Sequence, residues 1–421
     1  MSEFINRPLS RRGFLGGATV AAGLGLTACG GGQQKAAEAP SGKEGGGTIT
    51  AGTAYSTQNY DPSTTSSALA LGVNWQVVEG LYGLNFHDYS TFNELATADP
   101  KKVDDNTFEI TIRDGAKFSD GNEVKADDVV ESFNRSAAKG SVYVPMLSPI
   151  ASVEKKDDKT VTVKTTIANF SLLKERLSIV RVVPASSSQD EMKKQPVGSG
   201  PWQFESISDN TLDLVPNKNY NGATPAKDNK LHYDVLKDPT ARLTAQQDGT
   251  TLAMEMVPAD AVEQLKGAGC TVDAVQGFGV RFAMFNLGKA PWDNVKVRQA
   301  CLYALDTDKM LANAFSGQAE VATSYLPSSF ANYHKASTVY AHDVDKAKKL
   351  ISESGVTPGD VVLRTTDNEQ VKSMATQVKN DLDALGFNVS IVSDTSPATY
   401  AAIDAVDGSW DILLAPGDPS C

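Results

Sequence analysis

The sequence predicts an α/β protein of two or three lobes built on mixed sheets. Three observations predict it. The chain has 421 residues, too many for one hydrophobic core of ordinary size. Its last third alternates strand, helix, strand, short helix and strand, an order that requires a parallel sheet with right-handed crossovers. Earlier stretches alternate apolar and polar residues with period two between turn formers, the pattern of antiparallel hairpins. A net charge of −12, with no basic run carrying interleaved aromatics, argues against non-specific binding to nucleic acid.

Residues 1–28 read as a twin-arginine lipoprotein export signal. Ser10-Arg11-Arg12 precedes an apolar Gly/Ala-rich stretch, and Leu26-Thr27-Ala28 stands before Cys29 as in a lipobox. The apolar run is shorter than the ~20 residues that span a bilayer, which argues against a transmembrane anchor. The expected mature chain starts at a lipidated Cys29, and residues 29–47 form a Gly-rich flexible tether. The expected location is extracytoplasmic, anchored to the outer face of the cytoplasmic membrane. Of the remaining cysteines, Cys301 sits at helical spacing with Val297, Ala300, Ala304 and Leu305 and is expected in a core. Cys270 and Cys421 are left as a disulfide candidate. The four histidines are scattered and no zinc spacing occurs, so the sequence predicts no metal site.

The body opens with a strand, "TITAG", and a turn-rich loop, "YSTQNYDPSTTSS". Leu71, Trp75, Val78 and Leu81 then fall near helical spacing. In "NTFEITIRDGAKFSDG", Phe108, Ile110 and Ile112 alternate toward one face before two Asp-Gly pairs. Those pairs are expected to be turns, because a calcium loop needs carboxylates at alternating positions and a distal Glu. A helix carrying Val129, Val130 and Phe133 follows, and then a hairpin with Asp157-Asp158-Lys159 at its tip. Near the end, residues 361–366 read as a strand. Residues 369–385 read as a helix with Val371, Met374, Ala375, Val378, Leu382 and Leu385 on one face, closed by Gly386. Phe387, Val389 and Ile391 alternate as the next strand, "PATYAAIDAV" is a short helix, and "WDILLAP" is the third strand. Ligands bind beyond the carboxyl ends of such strands. Those ends carry Thr366-Asp367-Asn368, Ser393-Asp394-Thr395 and Pro416-Gly417-Asp418, either a cleft rim or merely polar loops.

Four ordered stretches resemble the family 5 extracellular solute-binding proteins of ABC importers, the dipeptide, oligopeptide and nickel branch. They are "VVEGLYGLNFHDYSTFNELATADPKKVDDNTFEITIRDGAKFSDGNEVKADDVVESFNR", "PVGSGPWQFESISDNTLDLVPNKNYNG", "VKVRQACLYALDTDKML" and "DVDKAKKLISESG". The resemblance runs from about Thr48 to the end. It implies a type II periplasmic-binding-protein-like fold, two lobes around a hinge with an extra subdomain in the first. Residues 48–72 and 195–265 would form the lobe I core, 73–194 the extra subdomain, and 266–421 lobe II with its βαβ units. The implied function is capture of peptides or similar small solutes by a monomeric binding protein and delivery to the permease subunits of an ABC importer. No catalysis and no cofactor are implied.

The resemblance also nominates residues. Asp418 matches the lobe II Asp that holds a peptide's α-ammonium, although "APGDPS" is shorter than the usual loop and lacks its Trp, so a turn or cap role stays open. Tyr55, Ser56 and Asn59 occupy the first loop, and Phe278, Gly279 and Arg281 stand just before "FAMFN", both placed to line the cleft. Arg281 is either a bidentate partner for a peptide carboxylate or a surface salt bridge. Trp292 replaces the family's Phe and is expected to pack. Members of the family continue beyond the point matching Cys421, so lobe II is expected to be incomplete, as a truncated product or with a second polypeptide completing it. Two other functions compete with this reading: a solute sensor or chaperone on the same fold, and an envelope hydrolase using Ser199 of "PVGSGPW". The hydrolase lacks the G-x-S-x-G elbow between strand and helix.

Overall fold

The computed structural model describes residues 46–417, apart from 87–88, 140, 276, 278, 329–332, 396–397, 400–401 and 404–408. The export signal, Cys29, Phe278, Asp418, Cys421 and most of the expected short helix at 396–405 therefore lie outside the described residues. The chain enters through β1 (Thr48–Thr53), loops to α1 (Ala68–Val77), and forms a small hairpin of β2 (Tyr82–Leu84) and β3 (Thr91–Asn93). Next come β4 (Lys101–Lys102), β5 (Thr107–Thr111), α2 (Ala126–Ser136), α3 (Val144–Leu147), β6 (Ile150–Lys155) and β7 (Thr160–Thr165). α4 (Leu173–Ser178) and α5 (Gln189–Lys194) lead to β8 (Trp202–Ile207), β9 (Thr211–Pro216), β10 (Lys230–Val235), α6 (Pro239–Gln247), β11 (Ala253–Met254) and α7 (Val262–Gly267). The last part runs β12 (Val280–Phe285), α8 (Val295–Ala304), α9 (Thr307–Phe315), α10 (Val344–Ser354), β13 (Asp360–Thr366), α11 (Glu369–Asp383), β14 (Asn388–Asp394) and β15 (Ile412–Gly417).

Two of the sheets mix parallel and antiparallel pairs. The first has the order β11-β1-β10-β9-β8, with β1 parallel to both β10 and β11 and an antiparallel run onward to β8. The second has the order β12-β15-β13-β14, with β13 parallel to β14 and β15 and with β12 antiparallel on the edge. Between them in sequence lie the antiparallel sheet β4-β5-β7-β6 and the β2–β3 hairpin. The buried apolar residues form three large clusters: one from Leu81 to Val182, one joining Tyr60–Val78 to Val183–Leu231, and one from Trp292 to Leu414.

Local chemistry explains most elements. Phe108, Ile110 and Ile112 are buried on one face, and Gly115 and Gly121 turn the chain with φ of +69° and +94°, which only glycine adopts cheaply. Phe118 between them is buried, so "RDGAKFSDG" folds back to bring an apolar side chain inward. The α11 face Val371, Ala375, Val378 and Leu382 is buried, Asn368 caps its start by accepting from the Val371 amide, and Gly386 follows with φ +97°. Ile391 departs from the expected alternation: it is 39% exposed because β14 is an edge strand. The α1 face is also corrected. Leu69, Val73 and Val77 point inward, Leu71 and Trp75 are only partly covered, and Val78 and Leu81 are buried beyond the helix end.

Trp75 is held away from that face by a charge. The Arg181 guanidinium stacks 3.2 Å from its ring centre, donates to Glu94 Oε2 at 2.8 Å, and gives further hydrogen bonds to the Val78 and Ser178 carbonyls. Beside it, Arg113 grips both oxygens of Glu79 at 2.8 Å each and also reaches the Glu94 carbonyl. Burial pushes the Glu79 carboxyl pKa up even against its Arg113 partner. "PVGSGPW" lies against the same region. A Cβ on Gly198 would sit 2.0 Å from the Val77 carbonyl, and one on Gly200 2.5 Å from that of Gln76. The two glycines let the chain run flush along the end of α1. Ser199 between them is fully buried, which removes it as an accessible nucleophile.

Two outcomes follow from this packing. Arg181→Ala leaves Glu94 buried without its partner and is expected to cost about 3–5 kcal/mol in denaturant unfolding; a loss under about 1 kcal/mol would contradict the network's role. His232, on β10, sits 2.6 Å from Asp213 and 3.2 Å from Asp234. Burial lowers its pKa, but the hydrogen bonds and charges of the two carboxylates outweigh it, and the net shift is upward from 6.5. Its stabilising contribution is therefore full below pH 6.5 and fades as pH rises through the folded value. An NMR titration should place the His232 pKa above 6.5, and a value at or below 6.5 would contradict the pairing.

Candidate functional site

The carboxyl ends of the parallel strands make two rims. On the first sheet, Thr53 ends β1, Val235 ends β10 and Glu255 follows β11. The register that pairs Gly52 with Met254 puts Thr53 beside Glu255. There Thr53 Oγ1 donates to Glu255 Oε1 at 2.5 Å, and the Ala54 amide donates to the same oxygen at 3.3 Å. Behind them Arg242 is buried with its Nη groups donating to three backbone carbonyls, Leu236 at 2.6 Å, Lys237 at 2.9 Å and Met256 at 3.2 Å. Met256 has φ of +54°, an uncommon conformation for a residue with a side chain. One buried cation thus fixes the backbone where β10 and β11 end.

The first loop is equally fixed. Tyr55 is half-buried against the core of this sheet, and Ser56 is exposed. Asn59 donates to Thr64 Oγ1 at 3.2 Å and accepts from the Asp61 amide at 3.1 Å, while buried Asp61 accepts from Ser63 and Thr64. The Asn59 side chain therefore shapes the loop.

On the second sheet, Thr366, Asp394 and Gly417 end β13, β14 and β15. Because β12 runs antiparallel, its start shares this rim, with Val280 opposite Gly417 and Arg281 opposite Pro416. Arg281 lies within the strand, which begins two residues earlier than "FAMFN" indicated. Gly279 immediately precedes β12 and is exposed. Register thus gathers Gly279, Arg281 and Gly417, the residue before Asp418. The other two polar clusters of this rim are occupied by structure. Asn368 is a helix cap, and Asp394 takes a 2.7 Å ion pair from Arg364, whose Nε donates to the Ser409 carbonyl. At the opposite, amino end of β15, buried Asp411 accepts from Trp292 Nε1 at 3.0 Å and the Val362 amide at 2.8 Å, and pairs with Lys289 at 2.9 Å. Trp292 is stacked between Phe285 and Phe387, the packing role the sequence assigned to it.

Concavity and chemistry do not coincide. A cleft of about 520 Å³ opens at the amino end of β13, lined by Pro291, Asn294, Thr357 and Asp360 among others, and one of about 430 Å³ lies between α9 and α11. Neither includes a rim residue, and the carboxyl-end rule of parallel sheets gives the rims precedence. Among the described residues, no group of three or more His, Cys, Asp or Glu could hold a metal ion, and no helix is long and apolar enough to cross a membrane. Cys270 and Cys301 are not bonded to each other. Burial pushes the Cys301 thiol pKa up to about 12. Glu255 is the rim residue that sequence reasoning missed, and a carboxylate between two methionines in "AMEMVP" was its one local signal.

Comparison with known proteins fits this geometry. The family described as bacterial extracellular solute-binding proteins, family 5 Middle, matches residues 92–419. Heme-binding protein A of Haemophilus influenzae is 30% identical over 361 residues, 76% of this chain and 64% of that protein. A putative ABC transporter peptide-binding protein of Brucella ovis is 30% identical over 259 residues, 57% of this chain and 47% of its own length. The matched region thus spans about half to two thirds of these curated relatives. The periplasmic binding protein DppA of Helicobacter pylori, solved with the peptide STSA, superposes with a TM-score of 0.79 at 20% identity, covering 89% of this chain and 79% of that one. The shared fold is that of the periplasmic peptide-binding proteins.

The rim's dependence on one guanidinium is testable. Arg242→Met leaves three carbonyls without their donor, and at about 1 kcal/mol per hydrogen bond should lower unfolding stability by roughly 2–4 kcal/mol. An unchanged unfolding midpoint would show that these carbonyls are satisfied otherwise.

Proposed function

The chain belongs to the family 5 bacterial extracellular solute-binding proteins, and on that premise we propose that it captures extracellular peptides or similar small solutes for an ABC importer. The observation that carries the reading is the pair of parallel-sheet rims, the first fixed by buried Arg242, joined in sequence by residues 268–279. A ligand between them would meet Tyr55 and Ser56 from the first sheet, with Asn59 holding their loop. From the second it would meet Phe278, Gly279 and Arg281, and Asp418 from the segment after β15. Asp418 would accept a charge-assisted hydrogen bond from an α-ammonium, and Arg281 would take a carboxylate bidentately.

Capture proceeds by closure about the connecting segment, a hinge motion. Shifting such a protein from 1:99 to 99:1 in favour of the closed form requires about 5.5 kcal/mol of preference for that form, so the ligand must touch both rims. The lipobox cysteine, Cys29, would tether the monomer at the outer face of the membrane, within reach of the permease subunits. Relatives named for peptides support this ligand class, alongside relatives named for heme, glutathione and nickel. Thermal unfolding of the full chain with a mixed di- to pentapeptide library tests the reading. Peptide at about 100 Kd should stabilise the protein by about 2.7 kcal/mol. A cooperative transition that no peptide moves would contradict it.

A further inference from the structure

We propose that Glu255 selects ligands carrying a cationic side chain, an ammonium or guanidinium on an aliphatic stem; the inference rests on the solute-binding reading above. Glu255 stands one residue past β11, at the rim where the first sheet presents its parallel strand ends. It is exposed, yet it is not a freely swinging surface carboxylate. Thr53 Oγ1 and the Ala54 amide both bind Oε1. A carboxylate has about four acceptor sites. These two donors orient the group, and Oε2 accepts no hydrogen bond from the described residues.

The cation beside it is committed elsewhere. Arg242 feels the Glu255 charge, but its Nη groups bond the Leu236, Lys237 and Met256 carbonyls, and it makes no hydrogen bond to Glu255. No ion pair joins Glu255 to any described residue. The surroundings suit a long cationic side chain. Met256, 40% exposed, offers a polarisable thioether directly after the carboxylate, and half-buried Tyr55 follows the strand end whose Thr53 orients it. An alkyl stem can lie along such groups while its charged end reaches Oε2. The Met256 carbonyl is tied to Arg242, so this arrangement is set before a ligand arrives.

Isothermal titration of the full chain with matched tri- and tetrapeptides tests this, with Lys, Arg or uncharged norleucine placed at each position in turn. The expected result is at least about tenfold tighter binding of a Lys or Arg peptide than of its norleucine twin, the size of one charge-assisted hydrogen bond. Glu255→Gln should abolish that preference, bringing the Lys or Arg peptide down to the affinity of its norleucine twin in a protein that still unfolds cooperatively. Thr53→Val, which removes one orienting donor, should reduce it part-way. Equal binding of both peptides by the wild type, or a preference that survives in E255Q, would overturn the inference and leave the peptide reading intact. Failure of the folded wild type to bind any of the peptides would overturn both.

Discussion

The fold depends first on a pair of buried arginine–carboxylate bridges at the end of α1. Glu79–Arg113 and Glu94–Arg181 connect four separate parts of the chain: the exit from α1, the strand pair that follows, the turn after β5 and the segment after α4. Each charge costs several kcal/mol to desolvate, and only good geometry recovers it. The bidentate grip of Arg113 on Glu79, the Trp75 ring over Arg181 and the Val78 and Ser178 carbonyls that accept from its Nη groups supply that geometry. Gly198 and Gly200 complete it by letting the chain that begins β8 pass flush against Val77. Residues 79–182 thereby join the first sheet at a defined point.

The first rim uses the same principle on a smaller scale. Arg242 binds three carbonyls at the strand ends of the first sheet, while Asp411 ties an indole, an amide and a lysine at the amino end of β15. Hydrogen bonds from a buried charged group hold the backbone they reach. The backbone at the strand ends of the first sheet is thereby held in place.

What was legible in the sequence was local. The alternation of Phe108, Ile110 and Ile112, the α11 face ending at Gly386 and the glycine turns around Phe118 each depend on neighbours within a few residues, and each stands in the structure as read. Trp292 was assigned to packing correctly. The α1 face was not legible because the helix is apolar on more than one side, and Arg181, more than a hundred residues away, decides that Trp75 stays partly outside. The pairing of β1 with β10 and β11 and the contact between Thr53 and Glu255 likewise join residues far apart. No periodicity reports such contacts. Of the nominated site residues, Gly279 and Arg281 are gathered with Gly417 by strand register, whereas Asn59 serves its own loop.

In the proposed mode of capture, one ligand touches both rims and the protein closes around it. Small-angle scattering of the full chain, with and without a peptide shown to bind, tests it most directly. The expected result is a smaller radius of gyration at saturation, returning to its starting value when the peptide is removed. An unchanged radius with peptide bound would mean that the ligand sits on one sheet alone, and would contradict the account.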